Sequence, residues 1–72
     1  MIKLNDHYFI AWLNIVKKID FVVINNSVNV FMSSEEYSEY LREYKLTLKP
    51  LLKEIRSTVK ALNNLTSQPA KG

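Results

Sequence analysis

Few side chains in this 72-residue chain have the chemistry to make or break bonds. It has one histidine, His7, no cysteine, two aspartates, and a single glycine at the last position. A glycine-rich phosphate loop and a Cys–His pair are therefore excluded. A serine acting with His7 and Asp6 fails on geometry, because adjacent residues on a helix diverge and nothing supplies an oxyanion site. Glu35, Glu36, Glu39 and Glu43 mimic paired catalytic carboxylates, yet acids gathered at the start of a helix are what its dipole favours. With no thiolate and one imidazole, no metal site and no cofactor are expected, and the chain reads as a non-enzyme.

The remaining groups suit binding. Tyr37, Tyr40 and Tyr44 fall at i, i+3 and i+7 beside Leu41, so they share one helical face. With Val28, Val30 and Phe31 just upstream they are expected to build the core or a dimer contact, since tyrosine buries its ring while leaving its hydroxyl wet. Stacking on bases would need interleaved cations, and this segment is acidic instead. Lys45, Lys49, Lys53, Arg56 and Lys60 each follow an apolar residue by one position and form a basic ridge beside an apolar stripe. Such a ridge is either a solvated face whose aliphatic stems cover the core's flank or a contact for an acidic protein or nucleic acid. After Pro50, the anchors Leu51, Leu52, Ile55, Val59 and Leu62 with the rim Lys53, Arg56 and Lys60 have the spacing of a helix laid in a partner's groove. They are the expected partner-binding element.

The elements that must position these groups follow from pattern. Met1 to Leu4 suits a short strand, and Asp6 an N-cap for a helix to about Ile19 with Phe9, Leu13 and Val16 on one face. The residue types there also favour a strand; the length and the closing Lys17 and Lys18 favour helix. Phe21 to Ile24 and Val28 to Met32 flank Asn25-Asn26-Ser27, which reads as a hairpin. Ser33 lies three residues before Glu36, the spacing of a reciprocal capping box. An apolar stripe at intervals of three or four then runs from Tyr37 to Leu62. Pro50 removes an amide and disfavours helical geometry at Lys49, so two helices separated by a break near Pro50 are expected. The fold class is α+β: strand, helix, hairpin, two helices. Residues 1–65 make one domain with a helical arm at 51–65, and 66–72 a disordered tail.

Composition narrows the setting. So short a chain buries only roughly 60% of its unfolded surface, so a homodimer is the default expectation. The absence of cysteine fits a reducing, cytoplasmic location. The apolar stretch Tyr8 to Val16 falls well below the roughly 20 residues of a membrane span and lacks a signal cleavage site, so no membrane association is expected. The net charge of +3 is too small to establish a polyanion partner, but its distribution is uneven, acidic over residues 35–44 and basic from Lys45 onward.

From Phe21 to Ile55 the chain resembles the Phd/YefM-type antitoxins of toxin–antitoxin modules. The likeness lies in a hydrophobic strand, Val28 to Met32, leading into Ser33-Ser34-Glu35-Glu36-Tyr37, then Tyr40-Leu41, Leu46 and Pro50. The opening Met1-Ile2-Lys3-Leu4 and the helix after it are similar to the family's first strand and helix. The resemblance implies a dimeric regulator that neutralises a toxin and binds operator DNA through its amino-terminal half. There Lys3, His7, Lys17 and Lys18 are the only basic or potentially basic groups, and the Asn25-Asn26-Ser27 turn is neutral, so weak DNA binding is expected. The rival reading is a stand-alone inhibitor or adaptor of a host enzyme, of the kind encoded by phages and mobile elements, that never touches DNA.

Overall fold

The computed structural model describes residues 1–66. Its elements are β1 (Ile2–Leu4), α1 (His7–Val16), β2 (Phe21–Ile24), β3 (Ser27–Val30) and α2 (Ser34–Thr66). The strands form one antiparallel sheet in the order β1-β3-β2. Ile2 and Phe21 flank Val30, and Leu4 and Val23 flank Val28. Because side chains alternate between faces, these six residues share one side of the sheet. All six belong to the apolar core or pack against it.

Local chemistry sets the element ends. The Asp6 side chain accepts from the Tyr8 and Phe9 amides at 3.0 and 3.2 Å, starting α1 where its type predicts. The helix stops at Val16, three residues before the expected Ile19. Lys18 takes left-handed backbone (φ 57°), the Ile19 amide reaches back to the Leu13 carbonyl at 3.2 Å, and the Asn14 side chain donates to the Ile19 carbonyl. Asn25 and Asn26, at φ 52° and 65°, are the two central residues of the hairpin, so Ser27 belongs to β3. Positive φ at both central positions marks the mirror-image turn whose twist matches the strands, and asparagine tolerates it. The capping box closes as its spacing predicts: the Ser33 amide donates to Glu36 Oε1 at 2.9 Å and the Glu36 amide to Ser33 Oγ at 3.2 Å.

Five consecutive residues of α1, Phe9 to Leu13, are buried. A helix covered around its circumference lies in the interior, so α1 is the central layer, packed against α2 on one side and the sheet on the other. An aromatic cluster joins the helices. The Phe9 ring lies 5.0 Å from Tyr44 and 5.8 Å from Tyr37, and Trp12 meets Tyr44 edge-on at 5.6 Å. The fully buried Trp12 indole donates to Thr47 Oγ1 at 3.0 Å, and that hydroxyl donates to the Glu43 carbonyl, so the polar atoms that the packing would strand are satisfied.

The expected break near Pro50 is absent. One helix runs from Ser34 through Pro50 to Thr66, where two were expected. Proline costs one intrahelical hydrogen bond and clashes with the preceding turn, but the apolar stripe on both sides of it, Tyr44 before and Ile55, Val59 and Leu62 after, is buried in one core. That shared burial outweighs the local cost. Thr66, expected to open the tail, is the last helical residue; the rest of that tail lies outside the described residues.

Candidate functional site

The amino-terminal cations do not converge. Lys3 stands on the outer face of β1, His7 opens α1 with its Nδ1 3.1 Å from the Asn5 carbonyl, and Lys17 and Lys18 lie at the far end of that helix, about 15 Å away. Lys17 is also engaged. Its ammonium sits 2.9 Å from the Glu43 carboxylate and over the Trp12 and Tyr40 rings at 5.9 and 5.1 Å. The hydrogen bond to Glu43 raises the Lys17 pKa above the usual lysine value. Lys17 thus clamps α1 to α2, and Lys3, His7 and Lys18 form no continuous patch for a phosphate backbone.

The expected dimer residues are mostly used within the chain. Val28, Val30 and Tyr44 are buried, and Tyr37, Tyr40 and Leu41 pack half-buried against the core. Burial, with lesser contributions from Asp6 and Tyr8, pushes the Tyr44 phenol above its ordinary pKa. Phe31 is the exception, with 55% of its surface exposed. The expected partner-binding helix face divides the same way. Ile55, Val59 and Leu62 are core residues and Leu51 packs against them, so these four are not available as anchors for another protein in the folded chain. Leu52 is half-buried, and Lys53, Arg56 and Lys60 are exposed.

Two surfaces remain. The first is the outer face of the sheet. Its residues are those out of phase with the core positions: Lys3, Val22, Ile24, Asn29 and Phe31. The Phe31 amide continues the ladder by donating to the Asp20 carbonyl at 3.2 Å, which sets Asp20 beside Phe31 at the same end. Ile24 is 46% exposed. α1 packs on the opposite face with α2 behind it, so Ile24 and Phe31 stand exposed between a cationic edge at Lys3 and an anionic edge at Asp20.

The second surface is the solvent side of α2. Arg42, Lys45, Lys49, Lys53, Arg56 and Lys60 are all exposed, and at about 100° per residue they fall within an arc of about 80°. Leu46, 79% exposed, borders them. The signal for this ridge is in the sequence, and the continuity of α2 through Pro50 is what puts Arg42, Lys45 and Lys49 in line with Lys53, Arg56 and Lys60. The sheet face is only partly marked in the sequence: β1 and β3 alternate polar with apolar residues, but β2 is apolar on both faces.

Among the described residues, no cluster of three or more His, Cys, Asp or Glu is placed to hold a metal, and no helix is long and apolar enough to cross a membrane. No family model, curated protein or solved structure matches the chain.

Proposed function

We propose that this protein is a non-enzymatic cytoplasmic regulator that acts by binding another protein, in the manner of an antitoxin that neutralises its toxin, through the outer face of the sheet. The observation that carries the reading is the exposure of Phe31 and Ile24 on a face that neither helix covers. Phe31 and Ile24 stand near opposite ends of this face, about 14 Å apart, with Val22 and Asn29 between them; exposed apolar side chains within a charged rim are the composition of a protein contact surface. Lys3 and Asp20 supply that rim. The element order supports the antitoxin resemblance: strand, helix, hairpin and a helix that continues into its extension. In the alternative version the partner is a host enzyme and the same face docks on it.

Changing Ile24 and Phe31 together to Asp tests the proposal. Neither side chain belongs to the buried core, so the variant should still unfold in one cooperative step, at a lower urea concentration because an Asp at 31 faces Asp20, while losing partner capture from the native host and, with a toxin partner, neutralisation on co-expression. Undiminished capture by the folded variant would refute it. A homodimer is a second reading favoured by Phe31, the one residue of the expected dimer set left mostly exposed. It uses the same face, and sedimentation of the parent and Phe31→Asp chains over a range of concentrations decides between self-association and a monomer awaiting its partner.

A further inference from the structure

We infer that the solvent side of α2 is a binding ridge for the phosphate backbone of nucleic acid, separate from the sheet face and from the amino-terminal cations. From Arg42 to Lys60 the ridge runs about 27 Å along the helix and carries six exposed cations, Arg42, Lys45, Lys49, Lys53, Arg56 and Lys60. The only acids in that stretch are Glu43 and Glu54, which fall about 120–140° around the helix from the middle of the ridge. Glu43 is moreover turned inward to Lys17 at 2.9 Å. The ridge is therefore a line of one sign of charge.

Composition separates a nucleic acid from an acidic protein as the occupant. Protein interfaces are centred on apolar or aromatic anchors and are depleted in lysine. Four of the six ridge cations are lysines, no aromatic residue lies among them, and Leu46 at the border is the one exposed apolar neighbour. A phosphate backbone asks for no anchor. It asks for cations strung along a line, and their contacts release condensed counterions. The ridge has no Asn or Gln between Arg42 and Lys60 to read adenine edges, and four of its six cations are lysines, which meet phosphate as point charges, so the binding we infer is to the backbone.

The test is fluorescence anisotropy of the full chain with a labelled random-sequence duplex across a salt series. Five or six phosphate contacts give a slope of log K on log salt of roughly −4.5 to −5.4, or about a thousandfold loss of affinity between about 50 and 200 mM salt. The triple variant Lys49→Glu, Lys53→Glu, Arg56→Glu should lose at least about a hundredfold in affinity and lower the slope by about 3, whereas Lys3→Glu with Lys18→Glu should leave both unchanged. Circular dichroism checks that the variants fold, and Lys49→Arg with Lys53→Arg should retain binding. Absence of binding at low salt and high micromolar protein would overturn the inference in favour of a solvated face or an acidic protein partner. A triple variant that binds as well as the parent, or loss on changing Lys3 and Lys18, would place the contact elsewhere. Selective binding of anionic vesicles over the duplex would assign the ridge to a membrane surface and likewise overturn it. None of these outcomes depends on the sheet face, so this inference and the proposed function fail independently.

Discussion

Replacing Ile55 with Ala distinguishes a helix that is part of the body from an arm held out to a partner. Ile55 is fully buried, in the same core as Trp12, Leu13 and Val30. The change removes three carbons, worth about 2.4 kcal/mol of transfer free energy at about 0.8 kcal/mol each. The cavity left behind adds to this, bringing the expected cost to about 2–5 kcal/mol. At about 0.05–0.15 kcal/mol per residue, a chain of this length has a total stability of about 4–11 kcal/mol, so the substitution consumes a large part of it. In a domain this small each kcal/mol moves the melting temperature by about 4–8 °C, and a cost of about 3.5 kcal/mol, the middle of the range, lowers it by roughly 14–28 °C. Urea unfolding followed by Trp12 fluorescence reads the loss directly, because Trp12 lies in the same core. Leu46→Ala is the internal control: Leu46 is 79% exposed on the same helix, and its truncation should stay within about 0.5 kcal/mol. If Ile55→Ala costs no more than Leu46→Ala, residues beyond Pro50 are not part of the folded body and the burial argument fails.

Two further outcomes follow from the backbone and the titrating groups. Lys18→Gly should stabilise the chain by roughly 0.5–1 kcal/mol, because a residue with a Cβ pays for the left-handed φ of 57° that glycine adopts freely; an unchanged or lowered urea midpoint would show that the Lys18 stem packs usefully. Tyr44 and Lys17 both have folded-state pKa values raised above their ordinary 10.0 and 10.5. Their contributions are therefore complete below about pH 10 and decline as pH rises through the folded-state values, since the unfolded chain releases these protons first. Stability measured from pH 8 to 11 should fall at the alkaline end, and Tyr44→Phe should flatten that fall; an unaltered slope would mean that Tyr44 is not its source.

Much of the architecture is written in short-range chemistry. Asp6, the Ser33/Glu36 pair and Asn25-Asn26 act on backbone groups within three residues of themselves, so the starts of α1 and α2 and the hairpin turn are legible from residue type and spacing alone. The fate of Pro50 is not, because its local cost is opposed by the burial of Tyr44, Ile55, Val59 and Leu62, which becomes known only when both halves of α2 meet one core. The same holds for function. An apolar stripe with a basic flank spells an amphipathic helix, but whether the stripe faces its own chain or a partner depends on how much apolar surface the rest of the molecule offers it, and here the core takes Tyr44, Ile55, Val59 and Leu62 and leaves Leu52 half-buried. The charged ridge could be read from the sequence because like charges at helical spacing have no competing place to go. The bare sheet face was legible only in part: Lys3, Ser27 and Asn29 alternate with apolar residues in β1 and β3, but Phe21 to Ile24 is apolar on both faces, so only the pairing of β2 with β3 and the packing of α1 on one face leave Ile24 and Phe31 to solvent.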